Sequence, residues 1–251
     1  MSNRYVRLIA AFVNAYWILW FRFPKMSREQ KLREIQQWSQ NILKVIGIHL
    51  QTTQRDTHCV IPPARLLVTN HVSWVDILVI QALQPSVFVA KEEVRQWPVI
   101  GSLAKACGVV FVNRNSMLAS RRMVDEVANA MHHGYQVACF PEGTSSDGQD
   151  VKTFHANVFE AAIQRQSTVQ TMAVRYQHAV TGELCTEAAF TGDMGFVGSL
   201  RQVLRTTPIT VTVSLGPCLS AQHHSRRTLA QISHQNVKDQ LRQLVLNFSN
   251  L

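Results

Sequence analysis

Residues 65–83 read RLLVTNHVSWVDILVIQAL, and the order of residue types in this stretch decides the fold. The short β-rich run RLLVT reads as a strand, the polar residues after it as a turn, and residues 73–83 as a helix. A strand that feeds a helix through a polar turn is half of a βα unit. The same rhythm continues through SVFVA (86–90), VVFV (109–112), QVACF (136–140), TVQTMAV (168–174) and ITVTVSL (209–215). Helical patterns separate these runs at 91–96, 117–133 and 155–166, and later helices are predicted over 196–205 and 227–247. The alternation implies an α/β fold, a mixed sheet flanked by helices. No repeat, low-complexity tract or Pro/Gly/Ser-rich linker interrupts residues 59–251, which read as one domain. Residues 176–195 fit a loop and a short hairpin equally well.

Upstream lies a different kind of sequence. Leu8 to Phe21 reads LIAAFVNAYWILWF, free of charge and closed by Arg7 and Arg22. About twenty apolar residues are needed to cross a bilayer, so this run suits an interfacial or re-entrant helix better than a span. Tyr16, Trp17 and Trp20 fit an aromatic belt at headgroup level. No small-residue cleavage site follows, so the segment is expected to stay in the mature protein. After Pro24, Leu32, Ile35, Ile42 and Ile46 recur at helical spacing, with Ser27 as an N-cap and Gly47 as a stop. Residues 1–58 are therefore read as a pair of membrane-associating helices preceding the domain.

Charge agrees with a membrane partner. The chain carries a formal +9, with nine Lys or Arg against three Asp or Glu in residues 1–58. Arg4, Arg7, Arg22, Lys25, Arg28, Lys31 and Arg33 bracket the apolar run, where basic side chains meet anionic headgroups. No Arg/Lys stripe interleaved with aromatics marks the domain as a nucleic-acid binder. Five dispersed cysteines without a CxxC pair imply reduced thiols facing a cytosol rather than a disulfide framework. Cys139, inside an apolar run, reads as core.

The chemistry gathers in three polar clusters, each directly after a strand: NHVSWVD after RLLVT, NRNS after VVFV, and PEGTSSDG after QVACF. Ligands of open α/β sheets bind outside the carboxyl ends of strands, so the three can converge. His71 and Asp76 suit a general base and the carboxylate that orients it. Ser73 lies between them without a GxSxG elbow, which disfavours an acyl-serine route and leaves the attacking hydroxyl to the substrate. Arg114 can grip a phosphate through paired hydrogen bonds. Glu142, Gly143 and Thr144 form a tight turn where backbone can approach an anion closely. Taken singly, each has an ordinary reading: a structural hydrogen bond, a solvated arginine, a strand-ending turn. No HExxH or Cys/His ligand spacing occurs, and the pairs His132-His133 and His223-His224 sit in polar helix ends or loops, so no metal is expected.

At these clusters the chain resembles the 1-acylglycerol-3-phosphate acyltransferase family, within the wider glycerolipid acyltransferase group. The family's N-H-x4-D block is matched by Asn70, His71 and Asp76, its G-x-x-F-x-x-R block by Gly108, Phe111 and Arg114, and F-P-E-G-T by Phe140 to Thr144. KEEVRQWPVIG, with Lys91, Pro98 and Gly101, is similar to the stretch between the first two blocks. Thr171 stands where the family's fourth block has proline. TFHANVFEAA and TGDMGF resemble the proteobacterial branch that includes ornithine-lipid acyltransferases.

The resemblance implies direct acyl transfer from acyl-CoA or acyl-carrier protein, as co-substrate and without a cofactor, to the hydroxyl of a lysophospholipid. It casts His71 as general base and Asp76 as its orienting partner. Arg114, Glu142, Gly143 and Thr144 would hold the glycerol-phosphate end, with Lys91 adding positive charge. The leading acceptor is lysophosphatidic acid, with phosphatidic acid as product, at a bacterial inner membrane with the domain on its cytoplasmic face. Other readings are the same chemistry on a lyso-ornithine lipid, a hydrolase, and a lipid-binding protein without turnover.

Overall fold

The computed structural model describes residues 2–53, 64–97, 100–112 and 117–248. Seven strands form one sheet: β1 (Ile48–Thr53), β2 (Arg65–Thr69), β3 (Val87–Lys91), β4 (Val110–Val112), β5 (Val137–Cys139), β6 (Thr168–His178) and β7 (Ile209–Ser220). Their spatial order is β1-β7-β6-β2-β5-β3-β4. All neighbours run parallel except β6 and β7, which pair antiparallel with a register shift between Gln170 and Met172. The carboxyl ends of β2, β3, β4, β5 and β6 therefore share one edge.

β2 is buried along its whole length, as suits a parallel strand covered on both faces. Alternation sorts its side chains: Leu67 packs toward one core, with Met172, Val174 and Tyr176 of β6, and Leu66 and Val68 toward the other. Helices α1 (Ser2–Phe21), α2 (Arg28–Ile46), α3 (Val75–Leu83), α4 (Ile100–Ala106) and α7 (Phe196–Thr206) precede, interrupt or follow the strands, as do α5 (Met117–His132), α6 (Phe159–Gln164) and α8 (Arg226–Phe248). The first core takes residues from α1, α2, α3 and α7; the second from α5, α6 and α8.

Several elements differ from their sequence-based expectation. The helix expected at 91–96 is a 3-10 turn over Glu92–Gln96. The helix expected at 155–166 is regular only over Phe159–Gln164. β6 and β7 run four and five residues beyond the apolar runs that announced them, because their antiparallel pairing continues from Thr168↔Ser220 to His178↔Ile209. β1 and α4 had no counterpart in the sequence reading. β1 pairs in parallel with β7, from Ile48↔Ile209 to Thr53↔Ser214. Residues 176–195 include a bridge between Gln177 and Leu184 and a 3-10 turn over Thr186–Ala188.

α2 begins in a reciprocal capping box, in which Ser27 Oγ accepts from Gln30 N–H and the Gln30 side chain accepts from Ser27 N–H. It ends at Gly47, whose φ of 83° is the left-handed conformation that lets its amide bond the carbonyls of Leu43 and Lys44. Gln36 and Gln40 of α2 donate to the carbonyls of Ala82 and Leu83, the otherwise unpartnered end of α3. Arg28 donates to the carbonyls of His133 and Gly134 and stacks 3.8 Å over Tyr135. The first two helices are thus tied to the sheet domain by polar contacts as well as by packing.

Candidate active site

At the shared edge, β2 delivers Asn70 and His71, and β5 delivers Phe140 to Thr144. Asn70 is fully buried and clamps β6, donating to Val174 O at 2.9 Å and accepting from Val174 N–H at 2.8 Å. That clamp holds the turn carrying His71. The His71 carbonyl accepts from Ser146 N–H at 2.8 Å, and its N–H donates to Glu142 Oε1 at 2.6 Å. The imidazole stacks on Phe140, with ring centroids 3.9 Å apart and planes 15° from parallel.

His71 Nδ1 lies 2.8 Å from Asp76 Oδ2. The same oxygen accepts from the N–H groups of Val72 and Ser73, at 2.8 and 2.9 Å. Asp76, in the first turn of α3, thereby pins the turn that leads into the helix, which starts at Val75 with no side-chain hydrogen bond from its N-cap Trp74. Its other oxygen, Oδ1, accepts from the Tyr176 hydroxyl at 2.6 Å. Burial pushes the Tyr176 phenol well above its ordinary range, and the Asp76 charge adds to the shift, so Tyr176 keeps its proton and donates. With Nδ1 facing Asp76, the imidazole has Nε2 left to offer a ligand. Ser73 Oγ is buried and without a hydrogen-bond partner among the described residues.

Glu142 turns inward. Its second oxygen accepts from Lys152 N–H at 2.9 Å, so both oxygens serve backbone amides. Burial raises its carboxyl to about 7, against these two donors and the nearby His71, which pull the other way. Gly143 takes a φ of 76°, and its N–H donates to Phe140 O at 3.0 Å, closing the turn. Thr144 lines the cavity described next, and Lys91 stands at its exposed rim at the end of β3. Arg114 lies outside the described residues.

His71 and Phe140 form the floor of an apolar cavity of about 400 Å³. Its walls come from Phe12 and Ala15 of α1, Ile35 and Trp38 of α2, Leu78 of α3, Leu103 of α4 and Leu200 of α7. A base lining an apolar chamber can take a proton from a hydroxyl while an aliphatic chain lies beside it. Tyr176, against Asp76, and the wall residues of α1 and α4 are positions at the candidate site that sequence reasoning missed. Extending the alternation Met172, Val174 by one more step would have put Tyr176 on the His71 face.

The chain matches the family model described as acyltransferase over residues 51–175. It is 35% identical to a lyso-ornithine lipid O-acyltransferase of Pseudomonas aeruginosa, over 69% of this chain and 66% of that protein. A 1-acyl-sn-glycerol-3-phosphate acyltransferase of Neisseria gonorrhoeae is 34% identical over 61% of this chain and 59% of its own length. A lyso-ornithine lipid O-acyltransferase of Brucella abortus is 33% identical over 72% of both chains. The first two alignments thus span less than two thirds of those relatives' own lengths. The fold is that of the crystal structure of a 1-acyl-sn-glycerophosphate acyltransferase from Thermotoga maritima, with a TM-score of 0.62 over 96% of this chain and 97% of that one at 20% identity.

Proposed function

The chain belongs to the acyltransferase family, and on that premise we propose that it moves a fatty acyl group from a thioester to the free hydroxyl of a lysolipid. The observation that carries this reading is the placement of His71, bound through Nδ1 to Asp76, on the floor of the apolar cavity. The donor is acyl-CoA or acyl-carrier protein, and no cofactor takes part. His71 Nε2 takes the proton from the acceptor hydroxyl as its oxygen attacks the thioester carbonyl. The new C–O bond forms, the C–S bond breaks, and the imidazolium returns its proton to the departing thiolate. Asp76 holds the imidazole in the tautomer the step needs and stabilises the positive ring. Ser73 offers no accessible hydroxyl, which fits direct transfer without an acyl-enzyme.

The acyl chain lies in the cavity between α1, α2 and the sheet domain. Glu142 acts by fixing the backbone of His71 and of the PEGT turn. Thr144 and Arg114, with Lys91 at the rim, supply the polar end of the site and hold the acceptor headgroup.

The leading acceptor is 1-acylglycerol-3-phosphate, the substrate in the name of the Neisseria relative. A lyso-ornithine lipid is the second reading, favoured by the names of the Pseudomonas and Brucella relatives. The two differ in whether a phosphate must be held.

α1 supports a membrane-surface location. Its inner face packs Leu8 and Ala11 into the core, while Val6, Ile9, Val13, Trp17 and Trp20 form an outward apolar stripe, with Ile9 63% and Trp20 73% exposed. A stripe of this kind flanked by Arg7 and Arg22 suits a helix lying in the headgroup region. Among the described residues no helix is long and apolar enough to cross a membrane.

The test is a transfer assay with labelled acyl-CoA and acyl-carrier protein, offered lysophosphatidic acid and lyso-ornithine lipid side by side. Phosphatidic acid as the main product supports the first acceptor, and acylated ornithine lipid the second. Transfer to neither, or free fatty acid released as fast as ester forms, contradicts the proposal. Arg114→Ala should cost far more activity on the phosphate-bearing acceptor than on the other.

A further inference from the structure

On the far side of Tyr176 from Asp76, the chain folds back in a tight turn that plays no part in the chemistry above. His178 N–H donates to Glu183 O at 2.9 Å, Gly182 N–H to His178 O at 2.9 Å, and Cys185 N–H to Tyr176 O at 3.0 Å. Ala188 and Ala189 N–H then bond the carbonyls of Cys185 and Thr186. This backbone framework brings together three side chains of different ligand chemistry: an imidazole, a thiol and a carboxylate. His178 Nε2 lies 3.2 Å from Glu187 Oε2, and Cys185 Sγ lies 3.7 Å from the same oxygen. All three potential ligand atoms fall within 4.8 Å of one another.

We propose that His178, Cys185 and Glu187 form a binding site for zinc, with solvent supplying a fourth ligand. The two edges that meet at Glu187 are close to those of a zinc tetrahedron. Zinc bonds of about 2.0–2.1 Å to nitrogen, about 2.0–2.2 Å to a carboxylate oxygen and about 2.3 Å to sulfur, in a tetrahedron, separate N from O by about 3.3 Å and S from O by about 3.5 Å. The two observed edges are 3.2 and 3.7 Å. A thiolate beside an imidazole selects zinc over magnesium or calcium, which prefer all-oxygen sites.

The ordinary alternative, a hydrogen-bonded trio, uses the ligands poorly. A thiol 3.7 Å from an oxygen is a weak donor. Metal binding instead replaces the thiol proton, which leaves to solvent as the Sγ–Zn bond forms. An entry path exists, because the His178 and Glu187 side chains are 29% and 42% exposed while Cys185 is fully buried beneath them. The motif escapes sequence inspection because the spacing H-x6-C-x-E matches no standard ligand pattern. Through the Cys185 to Tyr176 backbone bond, an ion here would stiffen the turn behind Tyr176, whose hydroxyl holds Asp76.

The experiment uses the full chain, stripped with a chelator and titrated with cobalt(II) chloride and then with zinc chloride. The expected result is one equivalent of cobalt with a thiolate-to-cobalt charge-transfer band, displaced by zinc, and a thermal midpoint that zinc raises. Cys185→Ser should abolish the band and the thermal shift. Glu187→Ala, altering a partly exposed side chain, should weaken cobalt binding at least about tenfold and keeps the test decisive if the cysteine variant folds poorly. Absence of the band in the wild type, its persistence in Cys185→Ser, or unchanged affinity in Glu187→Ala would overturn the proposal.

Discussion

The Tyr176 hydroxyl lies 2.6 Å from Asp76 Oδ1, and the His71 ring lies 2.8 Å from the same carboxylate's other oxygen. Asp76 is thus gripped from β6 as well as from its own turn, and Tyr176 positions the carboxylate that positions His71. Hydrogen bonds to charged groups are worth about 1.5–3 kcal/mol. Tyr176→Phe, which keeps the ring and removes the donor, should lower kcat about tenfold with little change in KM. Steady-state kinetics beside thermal unfolding check this, since a purely structural role would lower stability and leave kcat alone.

Glu142 should link stability to pH. Its carboxyl is raised by burial to about 7 from an ordinary 4.5. Below 4.5 the group is protonated in folded and unfolded chains alike, and its contribution is fully present. As pH rises the unfolded chain loses the proton first, so that contribution is lost through about 7. The stability difference between wild type and Glu142→Gln, followed by urea unfolding from pH 4 to 8, should therefore change between 4.5 and about 7 and level off above. A flat difference across that range would contradict the assignment.

Cavity shape should set acyl-chain length. Each methylene buried contributes about 0.8 kcal/mol, roughly a fourfold preference per carbon. Ala15 lines the cavity from α1, and Ala15→Phe would fill part of it. The variant should shift preference toward shorter donors, seen as a changed ratio of kcat/KM across an acyl-chain series.

The exposed stripe of α1 should carry attachment to membranes. Replacing Trp17 and Trp20, which are 52% and 73% exposed, by serine removes two large apolar side chains each worth about 1.5–3 kcal/mol on burial. Partitioning onto anionic vesicles should fall at least about tenfold, with thermal stability within a few degrees of wild type. Vesicle sedimentation measures the first and a melting curve the second.

Much of this was legible in the amino-acid sequence, for identifiable reasons. RLLVT is a strand because a short β-rich run around Leu66, Leu67 and Val68, bounded by a polar turn, fits little else, and Ser27 and Gly47 mark both ends of α2 by their capping chemistry. His71, Asp76 and the Glu142 turn sit where parallel strands end, so the fold's geometry brings them to one edge. β1 was hidden because IHLQTT alternates only partly, its edge position exposing His49, Gln51 and Thr52. α4 has seven residues, too few for a periodic signal. Glu142 reads as a ligand-facing acid from its place in the motif, whereas both oxygens face backbone amides, a fact about burial and direction that residue order does not carry. The cavity is likewise a property of packing: its walls come from α1, α2, α3, α4 and α7, which no local pattern connects.

The measurement that bears most directly on the central claim is acyl transfer by wild type and His71→Ala at saturating donor, with vesicle binding followed in parallel. A positioned general base contributes about 10²–10⁴-fold. The expected result is a loss of that size in kcat for His71→Ala, with vesicle binding and fold retained. Ester formation by the variant at the wild-type rate, or no transfer by the wild type to any lysolipid, would contradict it.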